Sequence, residues 1–193
     1  MKFRNLGVWD VLKKADFWKK FSEKHGADFK IKTTVSKDLN RLEMTIQYNG
    51  VSISFSESDT RPLFIDCNFK YSESLAWFEI SKIDFIEKVI AMFGKNKISS
   101  YNKDFNRKYL VKTVDNYRVK SIINNKNITG LILKQNLTYI GGKQDKSGAF
   151  HLTVNVHRNV NSLEQLETVY GLATALIDEL KGHKKQRSQT NRR

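Results

Sequence analysis

The chain has 193 residues, 39% hydrophobic and 11% aromatic with 12 Phe and 3 Trp, which is ample material for a packed interior and argues against wholesale disorder. Its length fits one ordinary domain or two small lobes that share a core. The single cysteine, Cys67, excludes an internal disulfide framework and a multi-cysteine zinc site, while the formal net charge of +14 turns attention to anionic partners.

Val8, Val11, Leu12, Ala15, Trp18 and Phe21 recur at helical spacing and Gly26 supplies a stop, so the first element is predicted to be an amphipathic helix. The apolar run ending at Leu12 meets Lys13 and Lys14 at once, too short for the core of a signal peptide, and no later run reaches membrane-spanning length. Phe29, Ile31, Thr33 and Val35 alternate with polar residues as in a half-buried strand. A hairpin follows, in which Leu42, Met44, Ile46 and Tyr48 lead to Asn49-Gly50 and Val51, Ile53 and Phe55 return. Asn-Gly suits the positive φ angles of a tight type I′ turn.

After a turn at Asp59 to Pro62, alternation resumes through Leu63, Ile65, Cys67, Phe69 and Tyr71, and SLAWFEIS reads as another strand. A helix is then predicted over residues 81–94, with Ser81 and Asp84 at capping-box spacing and Gly94 at its end. Residues 95–104 read as a connection, residues 105–114 as a strand, and Asp115 or Asn116 as the cap of the next helix. Ile122, Ile123, Ile128, Leu131 and Ile132 indicate one or two short helices, with Gly130 as a candidate break. Leu137 to Ile140 and Ala149 to Val156 form a second predicted hairpin around GGKQDKSG. The last helix runs from Asn161 or Ser162 to Leu180, before Gly182.

Signatures of catalysis are sparse. His151 and His157 share one face of a predicted strand, but six residues at about 3.3 Å each put them roughly 20 Å apart, too far to bind one metal ion together. Cys67 lies on the face of Leu63, Ile65 and Phe69, as a small buried hydrophobe would. Asp84, Glu87, Glu164 and Glu167 fit the favourable field of helix first turns. Asp178 and Glu179 sit at an unfavourable end that Lys181, Lys184 and Lys185 are placed to offset. Gly141-Gly142-Lys143 joins strand to strand and reads as a hairpin loop, whereas a phosphate-binding loop opens a helix. No HExxH, GxSxG, P-loop or GxGxxG occurs.

Charge is the more informative pattern. Residues 1–94 carry 15 basic and 13 acidic side chains, 95–158 carry 13 and 3, 159–180 none and 4, and 181–193 six and none. The excess is therefore confined to the middle of the chain and the tail. Tyr101, Phe105, Tyr109 and Tyr117 interleave with the middle cations, the combination that holds single-stranded nucleic acid, although a strand and helix here also need aromatic core contacts. Lys outnumbers Arg 25 to 9, which favours coding bias over a dedicated bidentate phosphate reader.

The spacing Phe105-x-x-x-Tyr109-x-Val111, followed by Asp115 and Ile122-Ile123, resembles a large group of bacterial proteins without assigned activity that carry FDxxFxV…D…LL after a β-rich half and close in an amphipathic helix. Asn106 stands where that group has an acid, and Tyr109 where it has a second Phe. The resemblance implies a strand, a cap and a packing helix over residues 105–123, and no activity.

The expectation is an α+β protein, an antiparallel sheet covered by amphipathic helices, in two lobes: residues 1–94, a basic second lobe over 95–182, and a disordered basic tail over 183–193. The function expected is that of a cytoplasmic, non-enzymatic interaction module. Its anionic partner, an acidic protein or nucleic acid, would be met by Lys103, Arg107, Lys108, Lys112, Arg118, Lys120, Lys126, Lys184, Lys185 and Arg187. Those cations would have to converge on one exposed patch while the rings between them point inward. No metal, cofactor or membrane insertion is expected. The alternatives are an enzyme whose site is assembled between the lobes, and a peripheral membrane protein using the basic face of the first helix at Lys13, Lys14, Lys19, Lys20 and Lys24.

Overall fold

A computed structural model describes residues 10–34, 39–70, 77–83, 97–135, 137–156 and 160–190. A 3₁₀ turn at Val11–Lys14 leads into α1 (Ala15–His25), and Gly26 closes α1 in the left-handed conformation, φ 62°, as the sequence predicts. The strands are β1 (Asp28–Thr34), β2 (Leu39–Tyr48), β3 (Val51–Ser58), β4 (Arg61–Lys70), β5 (Trp77–Lys82), β6 (Lys97–Ile98), β7 (Tyr109–Thr113), β8 (Leu137–Gln144) and β9 (Ala149–Val156). The remaining helices are α2 (Lys103–Lys108), α3 (Asn116–Asn124), α4 (Lys126–Gln135) and α5 (Leu163–Thr190).

Among the described residues all nine strands belong to one antiparallel sheet in the order β1-β2-β3-β4-β9-β8-β5-β7-β6. The fold is α+β, and the two expected lobes share this sheet: β5 of the first half pairs with β8 on one side and β7 on the other. The Asn49-Gly50 hairpin forms as read, both residues having positive φ.

Alternation builds a two-faced sheet. Val51, Ile53 and Phe55 of β3, Leu63, Ile65, Cys67 and Phe69 of β4, and Phe150, Leu152, Val154 and Val156 of β9 are buried on one face, beneath the helices. Each large apolar side chain so buried contributes about 1.5–3 kcal/mol. Ser52, Ser54, Ser56, His151, Thr153 and Asn155 lie on the other face and are half-buried or exposed.

The closing helix carries Leu166, Val169, Leu172, Ala173, Leu176, Ile177 and Leu180 on its buried stripe and packs on α1, α3 and α4. Its acids fasten it to distant elements. Glu164 pairs with Lys134 at 3.2 Å, and Glu167 with Lys24 at 2.8 Å and His25 at 3.0 Å. Asp178 accepts from the Tyr48 hydroxyl at 2.6 Å and the Asn49 amide at 3.3 Å, while Glu179 accepts from Ser121 and Asn125. Asp178 and Glu179 thus take hydroxyl and amide donors from other elements. The Lys181 ammonium, expected to offset them, donates instead to the Asn49 carbonyl at 2.7 Å.

Several local expectations change. Residues 103–108 are helical, and the strand expected over 105–114 begins only at Tyr109, because the Asn102 side chain caps α2 by accepting from Asp104 N–H at 3.0 Å and Phe105 N–H at 3.1 Å. The break between α3 and α4 falls at Asn125 and not Gly130: Asn125 Oδ1 accepts from the N–H groups of Asn127 and Ile128, starting α4. Gly141 to Lys143 lie inside β8, and the turn is Asp145 to Gly148. A Cβ on Gly142 would meet the Phe78 and Phe150 rings at 2.3 and 2.5 Å, so close packing of the core, not a loop, requires this glycine. Finally, α5 continues past Gly182 to Thr190. Ser81 and Lys82 lie within β5 and Ile83 follows it, so the helix expected over 81–94 does not begin there, and its residues 84–94 lie outside the described residues, as do His157 and Tyr71.

Candidate functional site

The basic segment is organised around the loop between β6 and α2. Ser100 donates its hydroxyl to the Ile123 carbonyl at 2.5 Å, and Tyr101 N–H donates to Asn124 Oδ1 at 2.9 Å, so the loop is tied to the C-terminal end of α3. Asn106 on α2 holds the same loop from the other side through both the N–H and the carbonyl of Ser100. At the start of α3, Asp115 caps the helix by accepting from Arg118 N–H at 3.2 Å. Loop, α2 and α3 therefore form one hydrogen-bonded unit.

The aromatic residues divide within this unit. Phe105 and Tyr109 are 0% and 4% exposed and stack with ring centres 5.2 Å apart, while Tyr101 and Tyr117 are 90% and 74% exposed. Burial pushes the Tyr109 phenol up to about 12, and its hydroxyl donates to the Leu137 carbonyl at 3.2 Å. Along α3, Tyr117, Lys120 and Asn124 stand at i, i+3 and i+7, a shared face about 10 Å long, and Asn124 leads directly to Tyr101.

The cations also divide. Lys103, Arg107, Lys108, Lys120 and Lys126 are exposed on α2, α3 and the start of α4, and Arg107 pairs with Asp104 at 2.9 Å. Arg118 is only 8% exposed and pairs with Asp115 at 3.3 Å, so it supports the start of α3 from within. Lys112 projects from the face of the sheet that carries Thr153 and Asn155, toward Glu79 at 3.9 Å, away from the others. Lys184, Lys185 and Arg187 fall on the helical backbone of α5, with side chains outside the described residues. The exposure of Tyr101 and Tyr117 is the feature that sequence reasoning missed. The missed signal was the Asn102 cap, which shifts the register so that Phe105, not its neighbours, supplies the core contact.

Elsewhere, burial pushes the Cys67 thiol up to about 12, consistent with a core side chain. His151 Nε2 lies 3.3 Å from Asp145, an exposed carboxylate already occupied by Ser147 and Ala149 of its own turn. Among the described residues, no three His, Cys, Asp or Glu side chains are grouped closely enough to hold a metal ion, and no helix is long and apolar enough to cross a membrane.

Comparison of the chain with protein families, with curated proteins and with solved structures finds no match.

Proposed function

We propose that the protein is a non-enzymatic interaction module that binds single-stranded nucleic acid along the ridge from Tyr117 through Lys120 to Tyr101, with Lys103, Arg107, Lys108 and Lys126 beside it. The observation that carries this reading is the exposure of two tyrosines among unburied cations. Bases stack on exposed rings whatever their sequence, and lysines follow the phosphates. Lys184, Lys185 and Arg187 would extend the positive field.

The test is fluorescence anisotropy of a labelled oligothymidylate at about 50 and 200 mM salt, where each phosphate contact adds about 0.7 to the slope of log affinity against log salt. Tyr101→Ala and Tyr117→Ala should each weaken binding by about 1–3 kcal/mol while leaving the fold intact. Binding that ignores both substitutions refutes the ridge. Failure to bind the oligonucleotide alongside capture of polyglutamate would replace nucleic acid by an acidic protein, and capture of anionic vesicles alone would favour the membrane-surface reading.

A further inference from the structure

The β2-β3 hairpin holds α5 at its turn, far from the nucleic-acid ridge. Tyr48 and Val51 form the last pair of the ladder, so Asn49 and Gly50 are the whole of the turn, and both are exposed with positive φ. Asp178 of α5 accepts from the Asn49 side-chain amide at 3.3 Å and from the Tyr48 hydroxyl at 2.6 Å. The Lys181 ammonium donates to the Asn49 main-chain carbonyl at 2.7 Å.

Asn49 is the single asparagine of the chain that is followed by glycine; among the others, Asn161 before Ser162 has the smallest neighbour. The backbone nitrogen after an asparagine can attack its side-chain carbonyl carbon, and a glycine, lacking a side chain, obstructs that approach least. Space around Gly50 is open: a Cβ placed there would meet no heavy atom within 4 Å. Its N–H lies outside the ladder, so attack sacrifices no strand pairing. The nitrogen reacts after losing its proton, with the negative charge shared by the Asn49 carbonyl oxygen, and Lys181 already lies on that oxygen. To be attacked, the side-chain amide must leave Asp178, and at 3.3 Å the bond given up is longer than the ordinary range of about 2.7–3.2 Å.

We propose that Asn49 is a self-modifying site whose conversion to aspartate releases α5 from the hairpin. The Gly50 nitrogen bonds to Asn49 Cγ, the Cγ–Nδ2 bond breaks, and a five-membered imide forms. The departing nitrogen takes up through solvent the proton lost from Gly50 and leaves as ammonia. Water then opens the imide: attack at Cγ gives aspartate, and attack at the main-chain carbonyl carbon gives isoaspartate, with the chain running through the former side chain. No oxidant or second substrate is needed. In aspartate the amide donor to Asp178 is replaced by a second negative charge, so attraction becomes repulsion, and isoaspartate also lengthens the tightest turn of the hairpin by one carbon.

The first experiment is incubation of the full chain in warm, mildly alkaline buffer, with peptide mapping by mass spectrometry. Asn49 should convert ahead of Asn161 and every other asparagine, and both aspartate and isoaspartate should form, since only the imide yields the second. Lys181→Met should slow conversion about tenfold, as expected for loss of one charged hydrogen bond. The second experiment is hydrogen exchange. Around Asp178, Asn49→Asp should exchange about fivefold faster than the parent chain. Asn49→Gly suits the turn and adds no charge, so its effect should be smaller. Adding Asp178→Asn to Asn49→Asp should restore slow exchange by swapping donor and acceptor. No conversion at Asn49, earlier conversion elsewhere, aspartate without isoaspartate, faster conversion in Lys181→Met, unaltered exchange in Asn49→Asp, or no rescue by Asp178→Asn would each overturn the proposal.

Discussion

Asn106 closes two hydrogen bonds with the backbone of Ser100: its Oδ1 accepts from the Ser100 N–H at 2.9 Å, and its Nδ2 donates to the Ser100 carbonyl at 2.7 Å. Only an amide can do both. Asn106→Asp keeps the acceptor but sets a carboxylate against a carbonyl oxygen, so a loss of about 1–3 kcal/mol is expected in urea denaturation. Faster hydrogen exchange at Tyr101, which depends on the same loop, should accompany it. An unchanged midpoint would show that the loop does not need this pair.

Lys14 and Glu57 form a buried ion pair at 2.5 Å, their side chains 9% and 0% exposed. Desolvation raises the Glu57 carboxyl above its ordinary 4.5, against the opposing hydrogen bond and charge of Lys14. A folded carboxyl that holds its proton more tightly than the unfolded one contributes less stability as pH rises from 4.5 through its folded value. Lys14→Met removes the only cation paired with it among the described residues. The variant should lose about 3–5 kcal/mol at neutral pH and regain much of that near pH 4, where a protonated Glu57 needs no counter-charge. Equal losses at both pH values would contradict the assignment.

Asp145 caps the turn between β8 and β9. Its carboxyl is held down at about 2, first by the Ser147 hydroxyl, then by His151, with the Ser147 and Ala149 N–H groups adding to the effect. Since the folded value lies below the ordinary 3.8, the contribution of this carboxylate to stability is present above pH 3.8 and disappears as pH falls through about 2. The amide shifts of Ser147 and Ala149 should titrate with that midpoint, and a midpoint near the ordinary value would mean that the turn opens in solution.

Gly141 and Gly142 are adjacent in β8 but answer to different faces. A methyl at 142 points into the Phe78 and Phe150 rings, and Gly142→Ala should cost about 1–3 kcal/mol by overpacking. A methyl at 141 meets only the hydroxyl end of the Tyr139 ring, which can swing aside, so Gly141→Ala should cost less and act by displacing that ring. Thermal denaturation of the two variants gives the order, and equal costs would mean that the core accommodates the methyl.

Tyr48 donates to Asp178 at 2.6 Å, and this bond leads the causes that push the phenol up to about 12. Tyr48→Phe should loosen α5 from the β2-β3 hairpin, seen as faster exchange along the helix around Asp178, with a loss of about 1.5 kcal/mol at this exposed site. Unaltered exchange would place the anchor at Lys181 and Asn49 alone.

Much of this was written locally. Asn49-Gly50, the stop at Gly26, a cap at Asp115 or Asn116 and the stripe from Leu166 to Leu180 act within a few residues of themselves, through φ preferences, cap hydrogen bonds and helical periodicity, and each is legible without a fold, the structure choosing Asp115. Residues 105–108 were misread because Phe105 and Tyr109 satisfy period 2 and an i, i+4 pair equally, and the Asn102 cap decides between them. Only the tertiary structure placed β5 between β8 and β7, because pairing partners far apart in sequence carry no local mark. Long-range contact likewise set Asp178 of α5 against Tyr48 and Asn49, and packing alone decided that Arg118 goes inside while Tyr101 and Tyr117 stay in water.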